Sequence, residues 1–232
     1  MPEVSVVITT YNEEKYIHDA IKSAYDQTLP KEFYEIIVVD DGGTDNTDKI
    51  VDKIKASGIN LRYLKKKNGG TSSARNFGVQ NSTGKYVSFL DGDDSYFPRK
   101  LELSLNLIRK YQDVGIVYSD YVEKGIESTN IRIKPNFDRD NLFNECIVST
   151  NSMISREAFD RVGGFDTSFK YVEDYDFWCR VVMSGLFALR VPEILFTYNS
   201  HQNSKTNSTP LEKIKPEWDK IRERIFKNEW RI

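Results

Sequence analysis

Carboxylate pairs stand directly after short apolar runs in this 232-residue chain. Asp91-Gly92-Asp93-Asp94 follows the apolar residues 86–90, and Asp40 with Asp41 follows residues 34–39. Two neighbouring carboxylates repel each other unless they share a proton or a hard cation, so the pattern favours a Mg²⁺ or Mn²⁺ site. Asp residues also form ordinary turns after strands, and for any single cluster that simpler explanation is equally good.

The first 120 residues alternate short β-branched runs with helical periodicities. The pattern predicts strands at 4–8, 34–39, 61–64, 86–90 and 115–118, and helices at 13–27, about 50–57, 74–81 and after Pro98. Asn12 is the expected N-cap of the first helix. This alternation favours an α/β fold with a doubly wound, mainly parallel sheet and helices on both faces. Ligands of such sheets bind at the carboxyl ends of the strands, so residues 9–12, 40–43 and 91–94 should meet there.

The pattern weakens beyond residue 120. Residues 123–140 look irregular, while helices are predicted at 156–162 and 174–184 and a strand at 194–198. We therefore expect one catalytic domain over 1–204, with a nucleotide-binding half at 1–120 and an acceptor half at 121–204.

Residues 205–232 form a separate basic amphipathic pattern, with eight Lys and Arg against five Asp and Glu. A helix is expected to begin near Pro216, and its apolar stripe consists of Leu211, Ile214, Trp218, Ile221 and Ile225. The stripe either packs on the catalytic domain or contacts a partner or a membrane surface peripherally.

The composition narrows the class of protein. Lys and Arg number 33 against 35 Asp and Glu, giving a formal charge of −2, so we expect no nucleic-acid partner. Cys146 and Cys179 are expected to stay reduced, because a chain of this length needs no disulfide. No leader-like segment or long apolar run is present, so we expect a cytoplasmic protein, with membrane contact at most peripheral.

Six ordered segments between residues 4 and 182 resemble family 2 glycosyltransferases, which have the GT-A fold. They are VSVVITTYNEEKYI, IIVVDDGGTDNT, KKKNGGTSSARNFGV, YVSFLDGDDSYFPRKL, RVGGFDTSF and VEDYDFWCRV. The resemblance implies transfer of a sugar from a nucleotide-sugar donor to an acceptor hydroxyl, with inversion at the anomeric carbon. It also implies a glycan or lipid-linked acceptor and a role in cell-surface glycan or polysaccharide synthesis.

The resemblance assigns a nucleotide pocket. Its members here are Thr9, Tyr11, Asp40, Asp41, Arg75 and Asp91. Tyr11 would flank the base and Asp41 would accept the uracil N–H, which implies a UDP-sugar. Arg75 suits contact with the base or a phosphate because its guanidinium is a rigid, permanently charged donor.

The resemblance also assigns the metal and the catalytic base. Asp93 would ligate Mg²⁺ or Mn²⁺ directly, and His201 would join it, although an exposed loop histidine is an equally good interpretation. Asp174 in the Glu173-Asp174 pair would be the general base that removes the acceptor's proton. Taken alone, an acidic pair at a helix start usually serves as a cap.

Two other functions remain open from the sequence. The Asp-x-Asp motif after an apolar strand is also similar to that of haloacid-dehalogenase-like phosphatases, which implies metal-dependent phosphoryl transfer. The third possibility is a module that binds nucleotide sugars without catalysing transfer.

Overall fold

A single mixed sheet carries the candidate residues in this computed structural model, which describes residues 1–202 and 204–227. Its strands are Val4–Thr10 (β1), Tyr34–Asp40 (β2), Arg62–Lys65 (β3), Tyr86–Asp91 (β4), Ser95–Tyr96 (β5), Val114–Lys124 (β6), Thr129–Arg132 (β7), Met153–Ser155 (β8) and Phe187–Asn199 (β9). The helices are Ile17–Tyr25 (α1), Thr47–Ala56 (α2), Thr71–Gln80 (α3), Lys100–Lys110 (α4), Arg139–Asn144 (α5), Arg156–Val162 (α6), Glu173–Met183 (α7), Lys205–Ser208 (α8) and Leu211–Lys227 (α9).

The strand order is β3-β2-β1-β4-β8-β6-β9-β5, with β7 paired to β6. The pairs β1/β2, β1/β4, β2/β3 and β6/β9 are parallel, and β8 is antiparallel to both β4 and β6. The predicted α/β fold is therefore confirmed, and strands β1 to β4 pair in parallel as expected. The short β8 has only three residues, too few for a clear hydrophobic pattern in the sequence.

Alternate residues of the central strands face two different cores. In β1, Val6 and Ile8 pack with α1, α2 and α4, whereas Val7 packs with α3 and the helices of the second half. Successive side chains of a strand point to opposite faces, so a strand covered by helices on both sides must be apolar throughout. This explains why β1 is buried along its whole length.

The ends of β1, β2 and β4 coincide at one edge of the sheet. Thr9 lies opposite Asp91 of β4, and Thr10 lies opposite Asp40 of β2. The chain then turns so that the N–H of Asp41 bonds the Thr10 carbonyl at 2.9 Å. The three polar clusters expected at this edge are thus together.

The expectation that Asn12 caps a helix starting at residue 13 was wrong. Helix α1 begins at Ile17, and Asn12 has a left-handed backbone with φ of 59°. Its side-chain oxygen instead accepts the N–H of Thr44 at 2.7 Å, which ties the end of β1 to the loop after β2.

The second half is more regular than expected. Residues 123–140 contain the end of β6, the hairpin strand β7 and the start of α5, and β9 begins at Phe187 rather than near 194. All four residues of β7 are exposed, so no alternation of apolar residues marks it. In β6 and β9 the register shifts near Asp120, which interrupts the alternation there.

Helix α9 begins at Leu211, five residues before the expected start, and contains Pro216 in its interior. Ile221 is fully buried against the core of the second half, and Trp218 packs beside it. Ile214, Trp218, Ile221 and Ile225 of the apolar stripe therefore pack on the preceding domain, the first of the two alternatives, whereas Leu211 is exposed. Within residues 1–202 and 204–227, no helix is long and apolar enough to cross a membrane.

Candidate active site at the ends of β1 and β4

The Asp-x-Asp motif forms a tight turn at the end of β4. The Gly92 N–H bonds the Thr9 carbonyl at 2.8 Å, and the Asp94 N–H bonds the Asp91 carbonyl at 3.0 Å. A Cβ on Gly92 would lie 2.2 Å from Oε2 of Glu13 and 3.0 Å from the Thr9 carbonyl oxygen, so the turn leaves little room for a side chain between the two carboxylates. Asp91 and Asp93 consequently stay close together at the tip of the strand.

A chain of ion pairs links Asp91 to the predicted acceptor half. Arg75 is almost fully buried, with its guanidinium 2.7 Å from Asp91 and 3.2 Å from Glu173. Lys205 of α8 approaches the same Glu173 carboxylate to 2.8 Å. The carboxylates of Asp91 and Glu173 counter the cost of burying Arg75. Its two NH groups thus tie β4 to the start of α7.

Asp93 meets His201, the other residue predicted to bind metal. Oδ2 of Asp93 lies 3.1 Å from Nε2 of His201. The His201 ring stacks on Tyr16, with ring centroids 4.9 Å apart and planes 17° from parallel. The segment after β9 is fixed further by the Asn199 N–H, which bonds the Asp94 carboxylate at 2.8 Å.

Two further carboxyl groups lie behind the Asp-x-Asp motif. Burial raises the pKa of Glu13 and of Asp94 well above their ordinary values, and the negative charges of Asp93 and Asp91 raise both further. Asp94 is satisfied by Asn199 and by the Asn151 side chain. In the described part of the chain, Oε2 of Glu13 is buried without a hydrogen bond of normal geometry.

This donor set fits a divalent cation. Burial and the negative charge of Asp91 raise the pKa of Asp93, because the carboxylates are crowded together. The positive charge of Arg75 is paired with Asp91. Within the described ranges, no three His, Cys, Asp or Glu side chains form a preformed metal cluster. Mg²⁺ and Mn²⁺ sites commonly combine few protein ligands with water and substrate phosphate oxygens. Asp93 and His201 could therefore hold such an ion together with a diphosphate.

Asp174 and Glu173 occupy different environments in the first turn of α7. Glu173 is buried between Arg75 and Lys205, so both of its oxygens are engaged. Asp174 is partly exposed, and its carboxylate accepts the Thr150 hydroxyl at 3.0 Å. Burial and the neighbouring Glu173 raise the pKa of Asp174, which makes it a stronger base.

The carboxylates of Asp40 and Asp41 both bond to other groups of the protein. Asp40 accepts the Gly43 N–H at 2.7 Å and is 1% exposed, so it stabilises the turn rather than lining the cleft. Asp41 pairs with Lys66 at 2.6 Å and accepts the Gly70 N–H at 2.7 Å. Its carboxylate therefore orders the glycine-rich loop that begins α3.

Thr9 and Tyr11 complete the edge. The Thr9 hydroxyl donates to Asp91 at 3.3 Å, which adds a neutral partner to the Arg75 ion pair. Tyr11 is 50% exposed, so its ring is accessible to a planar ligand beside the end of β1.

Sequence reasoning missed several residues of the site. They are Glu13, Lys66, Thr150, Asn151 and Lys205. Glu13 lies in the segment VSVVITTYNEEKYI that resembles the family, so its place near the site could have been predicted. The others join the site through long-range contacts that no local pattern encodes.

The chain matches the description "Glycosyl transferase family 2" over residues 5–163. It is 33% identical over 240 residues to an uncharacterised glycosyltransferase of Rickettsia prowazekii, covering 98% of this chain and 74% of that protein. It is 32% identical over 190 residues to the chondroitin synthase of Escherichia coli, covering 81% of this chain and 27% of that protein.

Solved structures share the fold. The Staphylococcus aureus protein TarS, residues 1–349 in complex with UDP, superposes with a TM-score of 0.73 at 23% identity, covering 87% of this chain and 61% of that one. The described architecture is therefore the GT-A fold.

Proposed function

Because this chain belongs to glycosyl transferase family 2, we propose that it transfers a sugar from a UDP-sugar to an acceptor hydroxyl, with inversion at the anomeric carbon. A divalent cation, Mg²⁺ or Mn²⁺, would be held by Asp93 and His201. The observation that carries the proposal is the Asp93–His201 contact of 3.1 Å, beside the Asp91 carboxylate that Arg75 holds.

The nucleotide would lie along the ends of β1 and β4. The exposed Tyr11 ring can stack on the base, and the glycine-rich loop ordered by Asp41 lies beside it. For Asp41 to read the uracil N–H directly, one of its present partners would have to give way. UDP in the TarS complex supports the choice of uracil nucleotide.

Catalysis would fall to Asp174. Its carboxylate accepts the proton of the acceptor hydroxyl while that oxygen attacks the anomeric carbon and the bond from sugar to diphosphate breaks. A raised pKa suits the role, because the proton must move to the base during the attack. When bound, the cation supplies Lewis-acid stabilisation of the charge developing on the departing diphosphate.

The acceptor would be a glycan or a lipid-linked sugar. The similarity to a chondroitin synthase supports a polysaccharide acceptor. This chain covers only about a quarter of that relative, so the comparison bears on the transferase unit alone.

Binding and turnover should be measured on the wild type and on two variants. UDP affinity by calorimetry should rise with Mn²⁺ in the wild type, and Asp93→Asn should lose about 10-fold or more of that metal-dependent gain. Asp113→Asn, an exposed carboxylate away from the site, is the matched control. UDP release from UDP-sugars supports glycosyl transfer, whereas equal Mn²⁺-dependent affinity in Asp93→Asn would remove the metal assignment.

A further inference from the structure

Helix α9 reaches back to the backbone that precedes the candidate base. Glu217, in the middle of this helix, accepts the N–H groups of Lys170 and Tyr171 at 2.9 Å each and of Val172 at 3.3 Å. Residues 170–172 directly precede α7, whose first two residues are Glu173 and Asp174. These contacts lie beyond the residues matched by the family description, which end at 163.

The contacts hold the segment that leads into α7 rather than the first turn of the helix. The N-cap residue, Val172, makes no side-chain capping hydrogen bond, and within the first turn the N–H of Tyr175 is accepted by Asp174. Successive N–H groups that converge on one point form an anion-binding nest, and the N-terminus of a helix is positively polarised. Glu217 supplies the anion from a different element of the fold.

The same helix contacts the residues that follow the base. The Trp218 ring packs on Tyr175, with centroids 4.2 Å apart, and Arg224 lies 3.4 Å from the Asp176 carboxylate. Helix α9 thus contacts the chain on both sides of Asp174. Its own position is fixed by the fully buried Ile221.

We propose that Glu217 is a positioning residue for the catalytic base, an inference that rests on the proposed role of Asp174. The Asp174 carboxylate accepts the Thr150 hydroxyl and the N–H of Tyr175, so its position also depends on the backbone that leads into α7. Glu217 fixes that backbone. A displacement of about 1 Å in a reacting group can cost roughly 100-fold in rate.

The first test compares two substitutions on one helix. Glu217→Gln keeps the size of the side chain but leaves one oxygen to accept N–H groups. It should lower kcat by about 10- to 100-fold while the KM for the nucleotide sugar stays within about 2-fold. Asp219→Asn is the control, since Asp219 pairs with Lys215 on the exposed face and should behave as wild type.

The second test does not depend on activity. Hydrogen exchange of the amides of 170–176 should accelerate in Glu217→Gln and stay unchanged in Asp219→Asn. If the wild type transfers no sugar, the proposed function fails, and exchange still decides whether Glu217 fixes this segment. Glu217→Asp serves if Glu217→Gln does not fold, with an intermediate loss expected from its shorter reach.

Three outcomes would overturn the inference. They are a wild-type kcat in Glu217→Gln, an equal loss of donor affinity and turnover, and unchanged exchange at 170–176. The first and third mean that the segment is held by other contacts. The second means that Glu217 supports the whole fold rather than the base.

Discussion

Two adjacent carboxylates in α7 have separate environments. Glu173 is fully engaged with Arg75 and Lys205, whereas Asp174 has one neutral side-chain partner and a partly open face. Burial first, and the negative charge of Glu173 second, raise the pKa of Asp174 above its ordinary value. This asymmetry favours Asp174 over Glu173 as the base.

Asp174→Asn should lower the transfer rate by about 10² to 10⁴-fold, because the amide is nearly isosteric but cannot take the acceptor's proton. UDP-sugar affinity should survive, since Asp93 and His201 are untouched. The check is transfer rate together with donor affinity in the same variant. Near wild-type transfer would place the base elsewhere.

Asp41→Ala should lower the free energy of unfolding by about 1 to 3 kcal/mol, because the Gly70 N–H and Lys66 lose a buried acceptor. Urea denaturation measures this change. If Asp41 also reads the base, the variant's preference for UDP over CDP should fall as well. An unchanged free energy of unfolding would mean that water replaces the carboxylate without cost.

The positions of single site residues were predictable where a sequence motif contains them. Asp93 and His201 stand 108 positions apart, yet the resemblance assigned both to the metal site, and the structure brings them together. Their metal-binding role stays a prediction. Glu217 had no such signal, because its partners are backbone N–H groups that any sequence at 170–172 would present.

Helix α4 carries a lysine in an apolar environment. Lys100 is fully buried, with Nζ 3.2 Å from the Ser119 hydroxyl and near the rings of Tyr96 and Phe196. Burial lowers the pKa of Lys100 to about 7, and no ion pair to a carboxylate of the described residues offsets it. The helix therefore contributes an ionisable group that opposes folding whenever it is charged.

Lys100→Met should raise the free energy of unfolding at pH 7 by on the order of a few kcal/mol. In the wild type, the unfolded chain holds more protons than the folded one between about pH 7 and the ordinary lysine value of 10.5. Stability contributed by this group therefore rises with pH across that window, and the variant should lose the rise. Urea titrations at several pH values measure both.

Lys110→Met, at the exposed end of the same helix, is the matched control and should leave the pH dependence unchanged. A wild-type pH profile in Lys100→Met would mean that water or a rearranged partner solvates the ammonium group.

Most elements of the first half were predictable because β1, β2 and β4 are buried over nearly their whole length and the helices have clear buried faces. The start of α1 was missed because Asn12 bonds across to Thr44 instead of capping the helix. The hairpin of β6 and β7 was missed because it projects with exposed side chains. A sequence pattern reports burial, so elements that bury little leave no signal.

At the scale of the whole molecule, helices α9 and α7 pack into the same hydrophobic core. Ile221 of α9 belongs to one continuous cluster with Trp178 and Val7 of the central sheet. Unfolding should therefore be a single transition, because α9 shares its apolar contacts with α7 and the central sheet.

Ile221→Ala should lower the free energy of unfolding by about 2 to 5 kcal/mol without splitting the transition. Leu211→Ala is the control, because Leu211 is 79% exposed and its loss should change stability by no more than about 0.5 kcal/mol. Circular dichroism and tryptophan fluorescence should give the same midpoint. Two separate midpoints would mean that residues 205–227 fold as an independent unit.

The contact of Glu217 with residues 170–172 also sets an order in which parts of the site can form during protein synthesis. A ribosome delivers the loop and the candidate base well before it delivers the anchoring carboxylate, so the backbone of residues 170–172 in a nascent chain at first lacks its Glu217 contacts. The proposed donor site at the ends of β1 and β4 needs no residue of α9 and can form earlier. Competence for the proposed sugar transfer would then arise only after α9 has folded back onto the sheet.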